Sequence, residues 1–200
     1  MSRRSVGWMG VAAIALTVAL LLGYDWNNSG LTRSSFQIAQ EAPTDIPELT
    51  AAEPAISGTY EDPQGNFQIG ILDGYGVSSM AGSPLFQSLD GGLAYSVVTV
   101  PLETDAPLSD IGLVDLAQTA LSNGEGFQTQ TFTPVSGGGL QISWSGRFSQ
   151  GTSPSQPISG VVLAKQQGGE AYLLVVAALE EADLQVAQVV STLASTLTLL

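Results

Sequence analysis

The chain contains no histidine and no cysteine, and its single lysine is Lys165. Without imidazole or thiol there is no Ser-His or Cys-His pair, no zinc site built from the usual ligands and no imidazole acid or base. Without cysteine no disulfide can form even in an oxidising compartment, so stability must come from the core. Cations are scarce, 5 Lys and Arg against 18 Asp and Glu, for a net charge of −13. Nucleic acid and anionic lipid headgroups both need clustered Lys or Arg and are disfavoured as partners.

Little remains that could carry chemistry. A Ser-Lys dyad would have to use Lys165, whose place beside a hairpin turn reads as an ordinary solvated side chain. Glu180 and Glu181 are adjacent in the first turn of a helix, and Glu61 and Asp62 lie beside a β-turn. Those placements suit the helix dipole and the turn better than acid/base work. Asp62, Gln64 and Asn66 are spaced like the start of a calcium loop, but the closing glutamate and the other oxygen ligands are missing at the required offsets. No catalytic residue, metal ligand or cofactor is expected, and the chain reads as a non-enzyme.

The strongest positive signal is at the start. Arg3 and Arg4 precede an uncharged run from Val6 to Gly23, and the first acid, Asp25, follows directly. A run of this length can cross a bilayer or serve as an export signal, and basic flanks stay on the cytoplasmic side. Residues 1–24 are expected to be an uncleaved anchor, because Leu21-Leu22-Gly23-Tyr24 fits a cleavage site poorly and aromatic residues (Trp8, Tyr24, Trp26) stand at both ends. A cleaved signal is the alternative. No cysteine follows the run, so a lipoprotein anchor is excluded. Residues 25–58, with Pro43, Pro47 and Pro54 among Glu41, Asp45, Glu48 and Glu53, have no sustained apolar period and are expected to be a flexible acidic linker.

Residues 59–200 have the texture of one α+β domain. Asp62-Pro63-Gln64-Gly65 predicts a tight turn, and Phe67, Ile69 and Ile71 alternate with Gln68 and Gly70 as on a half-buried strand. Leu85–Leu89 and Leu93–Val100 predict a hairpin across Asp90-Gly91-Gly92. Ser109 or Asp110 can cap a helix that carries Leu113, Leu116, Ala117, Ala120 and Leu121 on one face and stops at Asn123-Gly124. Leu140, Ile142, Trp144 and Phe148 alternate with Gln141, Ser143, Ser145 and Arg147 on a strand after the Gly137-Gly138-Gly139 turn. This puts Trp144 inward and Arg147 outward. Ile158–Lys165 and Ala171–Ala178 predict a second hairpin, and the near-continuous apolar run from Tyr172 to Ala178 a central strand covered on both faces. A last helix begins at Glu180, Glu181 and Asp183 and turns Val186, Val189, Val190, Leu193 and Leu197 inward. The expected architecture is an α/β/α sandwich around a central, mainly antiparallel sheet of about six or seven strands.

Several words in this order carry a resemblance: Tyr60-Glu61-Asp62-Pro63-Gln64-Gly65-Asn66-Phe67 at the domain start, the strand and helix around Leu108 to Leu121, and Ala171 to Ala178 followed by a helix and Leu197-Thr198-Leu199. Together they resemble the PsbP-like family, the fold shared by photosystem II extrinsic proteins, bacterial DcrB-type lipoproteins and the Mog family of Ran-binding proteins. Leu72-Asp73-Gly74-Tyr75 stands where the family often has Pro-x-Gly-Trp, and the metal-binding histidines of some members have no counterpart. The resemblance implies a bacterial, cyanobacterial member: a membrane-anchored, non-catalytic binding or assembly module in the periplasm or thylakoid lumen, supporting a membrane complex such as photosystem II. The alternative is an envelope domain of DcrB type that binds a small ligand or lipid. Arg147, Ser153 and Gln156, on the outward face of the Trp144 strand and in the polar loop after it, are the candidate partner contacts. An apolar pocket would favour a small ligand, and a flat exposed apolar patch a protein partner.

Overall fold

The computed structural model describes residues 54–80, 82–149 and 154–200. The expected anchor (1–24) and residues 25–53 of the expected linker lie outside the described residues, as does Ser153. Among the described residues no helix is long and apolar enough to cross a membrane.

Among the described residues ten strands and two α-helices follow one another as β1 Ile56–Glu61, β2 Phe67–Leu72, β3 Tyr75–Met80, β4 Ser83–Ser88, β5 Leu93–Pro101, α1 Asp110–Ala120, β6 Gln128–Pro134, β7 Leu140–Phe148, β8 Gln156–Gln167, β9 Glu170–Leu179, α2 Val186–Thr196 and β10 Thr198–Leu199. The large sheet has seven strands in the order β3-β4-β5-β9-β8-β7-β6, and a small sheet has the order β1-β2-β10. Every pairing is antiparallel. The expected α+β class and mainly antiparallel sheet are therefore present. Strand β1 starts at Ile56, so the last residues assigned to the linker are paired backbone, with Ile56 opposite Leu72.

Central β9 explains the layering. Its alternate side chains leave the sheet on opposite faces, Tyr172, Leu174, Val176 and Ala178 entering one core and Leu173, Val175 and Ala177 the other. The first core is closed by the small sheet through Phe67, Ile69 and Leu72 and by α2 through Val186, Val189, Val190 and Leu193. Leu113, Ala117 and Ala120 of α1 close the second, against Leu140, Ile142 and Trp144 of β7. Each buried Val, Leu, Ile or Phe among these contributes about 1.5–3 kcal/mol by leaving water, and each alanine less.

Local signals act as expected at the start of α1 and at the Asp62 turn, but not at the last helix. The Ser109 hydroxyl, rather than the Asp110 carboxylate, caps α1, accepting from the Gly112 N–H at 3.2 Å. The turn at Asp62 closes by a Gly65 N–H to Asp62 C=O bond of 2.8 Å, with Gly65 at φ 77°. Glu180–Gln185 form a 3-10 helix leading into α2, so the last helix is entered through a tighter turn than the periodicity suggests.

Two facings differ from expectation. Leu72, not Ile71, is the fully buried residue at the end of β2. The alternation breaks after Ile69, where Gly70 is itself buried, and the bulge of β1 between Ile56 and Gly58 lies opposite Leu72 and Ile71. Leu89 belongs to the turn and is 85 % exposed rather than part of β4.

Candidate functional site

The second face of the large sheet is covered by α1 only as far as Ala120. Beyond it the chain is carried across the sheet by the segment Leu121–Phe127, which is held at several points. Leu121 C=O accepts from Gly124 N–H at 2.9 Å, Glu125 C=O from Arg147 N–H at 2.7 Å, and Phe127 C=O from the Gln118 side-chain amide at 3.3 Å. Gly126 sits at φ 63°, in the left-handed region that glycine tolerates, with the Arg147 stem against it.

Between this segment, the sheet and the end of β7 lies a cavity of about 180 Å³. Ser96 and Val98 of β5, Ile158 of β8 and Val175 of β9 form its sheet side, and Leu121, Phe127, Trp144 and Phe148 its apolar walls. The exposed residues Asn123, Glu125 and Arg147 stand at its opening. The rings of Phe127 and Trp144 meet at 5.1 Å with 35° between their planes.

The space exists because the sheet beneath Trp144 is made of small residues. Trp144 pairs with Gly160, which pairs with Ala177. At Gly160 any Cβ would come 1.9 Å from the Val176 carbonyl oxygen, so no larger residue fits, and the indole Nε1 lies 3.0 Å from that same point. Trp144 is 5 % exposed, and its buried Nε1–H has no hydrogen-bond partner. Ser96, 5 % exposed, is the buried polar residue among those described, and it lines the same cavity.

Two larger depressions, of about 310 and 490 Å³, are of different make. The smaller is lined by turn residues around Asp73, Tyr75 and Asp90. There the Asp90 carboxylate accepts from Ser88 Oγ at 2.6 Å and Gly92 N–H at 3.0 Å, which holds its pKa below the usual range. Burial, with Asp90 nearby, pushes the Tyr75 phenol up to about 12. The larger depression holds Lys165 beside Asp105 and Gly137–Gly139, with no serine among its lining residues, so it supplies no partner for a Ser-Lys dyad. Neither is lined by Phe127 or Trp144.

Of the candidate contact residues, Arg147 is exposed and its Nε donates to Ser155 Oγ at 2.9 Å. Gln156 is exposed at the start of β8, opposite Phe148, while Arg147 faces Pro157. Arg147 and Gln156 therefore share one end of the β7–β8 pair, beside the cavity opening. Sequence reasoning missed Ser96, Val98 and the segment Leu121–Phe127 as site residues. The available signal was Gly160, a glycine inside a strand, which marks a close approach of backbone.

Among the described residues no group of acids could hold a metal ion. The calcium-like start at Asp62 is occupied by its own turn, the carboxylate accepting from the Asn66 N–H at 3.2 Å. Glu61 accepts from the Gln68 side chain at 2.9 Å. Asp183, beside Glu180 and Glu181, accepts from Ser159 Oγ at 2.6 Å.

No protein-family model matches the sequence, and no curated protein matches it. Solved structures do. The chain is similar to cyanobacterial PsbP from Synechocystis, with 14% identity, 71% of this chain and 91% of that one covered, and a TM-score of 0.47. It is similar to the Ran-binding protein Mog1p of Saccharomyces cerevisiae, with 10% identity, coverage of 72% and 96%, and a TM-score of 0.49. It is also similar to LpqN of Mycobacterium tuberculosis, involved in cell envelope biogenesis, with 12% identity, coverage of 66% and 82%, and a TM-score of 0.41. Values this low leave function to be argued from the residues themselves.

Proposed function

We infer that this protein is a non-catalytic binding module of the PsbP-like kind that works outside the cytoplasm, held to a membrane by residues 1–24 and contributing to a membrane protein complex. The observation that carries binding is the apolar cavity beside Trp144, which leaves core side chains accessible to a guest. Arg147 and Gln156 at its edge provide polar contacts around a central apolar anchor, the arrangement that concentrates energy at protein interfaces. The tether and the compartment rest on the basic start and apolar run from Val6 to Gly23.

The same cavity favours a second reading, an envelope domain for a small ligand. Its volume of about 180 Å³ limits that ligand. Drug-sized ligands occupy roughly 300–1,000 Å³, so a whole lipid is too large and a single compact group fits. The exposed large apolar residues Ile56, Val77, Leu89, Ile111, Phe132, Leu184 and Leu200 come from seven different segments.

Crosslinking and pull-down from native membranes tests both the partner and the compartment. A membrane-complex subunit captured by the unaltered chain and lost on Arg147→Ala is the expected result. Protease added to intact spheroplasts should remove the domain. A domain protected there, or a soluble form beginning near Asp25, would overturn the tethered reading.

A further inference from the structure

We propose that the free edge of β3 takes an extended strand from a partner protein, and that this strand carries a cationic side chain into the acidic depression where β3 begins. The surface is separate from the cavity beside Trp144, and the inference does not depend on that cavity.

The two edges of the large sheet differ. In β6 the pairing with β7 shifts register between Thr129 and Phe132, and the strand ends at Pro134. Bulges and prolines of this kind keep a further strand from adding to an edge. Strand β3 has neither. Tyr75-Gly76-Val77-Ser78-Ser79-Met80 carries no charge and no proline, and it pairs with β4 in unbroken register from Tyr75 opposite Ser88 to Met80 opposite Ser83. Pro84 has no N–H to give, so its pair with Ser79 is of the non-hydrogen-bonded kind. Alternation then turns the N–H and C=O groups of Tyr75, Val77 and Ser79 away from β4, toward the open side. A strand laid there finds its main-chain donors and acceptors already in place.

The charge of that strand follows from its surroundings. Tyr75 lines the depression of about 310 Å³ together with Asp73, Asp90, Leu89 and Gln185. Ser88 Oγ and Gly92 N–H both bond Asp90 Oδ1, which leaves Oδ2 for a partner. Glu180 and Glu181 are exposed on the 3-10 helix that supplies Ala182 and Gln185 to the same depression. The described residues contain two cations, Arg147 and Lys165, and neither lines it. Carboxylates at the end of an uncharged edge attract Lys or Arg and repel an acidic chain. With a net charge of −13, a second copy of this protein is therefore a poor occupant. Val77, 46 % exposed on the edge, and Leu89, 85 % exposed at the depression, offer apolar surface to alternate residues of the incoming strand.

The probe is acetyl-Arg-Thr-Val-Thr-Val-Thr-Arg-amide, with an arginine at each end so that either strand direction brings one to the depression. Added to the full chain in uncharged detergent, it should slow hydrogen exchange at the amides of Tyr75, Val77 and Ser79. The same peptide with Glu in place of both Arg should bind about tenfold more weakly, and the difference should shrink as salt is raised. Asp73→Asn should weaken the arginine peptide about two- to fivefold and leave the glutamate peptide no weaker. Val77→Pro removes an outward N–H at an edge, where proline is tolerated, and should abolish the protection. If that variant fails to fold, the exchange pattern of the unaltered chain decides. Binding should persist in Arg147→Ala, and its loss there would assign the peptide to the cavity and overturn the proposal. Equal binding of the two peptides, or no protection at the solubility limit, would overturn it as well. So would protection of these amides without peptide, which would mean that another copy or the chain itself covers the edge.

Discussion

Replacing Tyr95 with phenylalanine tests how the two sheets are joined. Tyr95 is on β5 of the large sheet and 1 % exposed, and its ring stacks on Phe86 with centroids 4.4 Å apart and 6° between planes. Its hydroxyl reaches β2 of the small sheet, donating to the Gly70 carbonyl at 2.8 Å and accepting from the Leu72 N–H at 3.1 Å. Phenylalanine keeps the ring and its stacking but removes both bonds. What remains is a backbone donor and a backbone acceptor in a site where Leu72 is 1 % exposed and water is excluded. Buried backbone groups are almost always paired, and each one left unpaired costs about 1–3 kcal/mol. Because the tyrosine hydroxyl no longer has to be desolvated, the expected net loss is about 2–4 kcal/mol. That is a large part of the stability of an ordinary domain. Urea melts of the Tyr95→Phe variant should show a lower midpoint with an unchanged slope, since the folded surface is the same. In hydrogen exchange the Leu72 amide should lose protection ahead of β9. A variant within about 0.5 kcal/mol of the parent would refute the reasoning and mean that side-chain packing alone holds the small sheet in place.

Four further outcomes are expected. Trp144→Ala should cost about 3–5 kcal/mol because it empties a core position, whereas Arg147→Ala should stay within about 0.5 kcal/mol; an Arg147 variant that unfolds would show that its bond to Ser155 supports the fold. The Asp90 carboxylate has a folded pKa below its ordinary value, so its contribution is present above the ordinary carboxylate pKa and is lost as pH falls through the folded one. Asp90→Asn should therefore flatten the acid limb of a stability profile, and an acid limb as steep as the parent's would count against the turn as its source. At the other end, Tyr75 and Tyr172 are raised to about 12 by burial, so their contribution is full below the ordinary phenol pKa and fades as pH rises toward 12. Phenylalanine at either position should soften alkaline unfolding. A chain starting at residue 54 should unfold in one cooperative step unmoved by chelator or reductant, and a melting temperature that drops with chelator would revive Asp62 as a metal ligand.

The sequence by itself determined the elements whose burial is asymmetric. Alternation in Leu140, Ile142 and Trp144 placed β7, the unbroken run Tyr172 to Ala178 placed β9 at the centre, and Ser109 placed the start of α1. For β7 and β9 the local pattern and the final burial have the same cause, an apolar side chain kept from water, whereas Ser109 acts by accepting from the Gly112 N–H. The helix face of α2 was readable for that reason, and so was Trp144 as a core residue.

Tertiary structure alone decided the rest. Strands β3 and β6 lie at the two edges of the large sheet, and their sequences, Tyr-Gly-Val-Ser-Ser-Met and Gln-Thr-Gln-Thr-Phe-Thr-Pro, carry no apolar alternation. An edge strand is held by backbone pairing with one neighbour and can be polar on both faces, so composition does not announce it. The division into two sheets hangs on contacts between residues far apart in the chain, Tyr95 with Gly70 and Thr198 with Gln68. The cavity belongs to the same class of fact. It arises where α1 ends, Gly160 and Ala177 lie side by side beneath Trp144, and Leu121–Phe127 crosses above them. No stretch of sequence holds all three, because a void is a property of how separate elements meet.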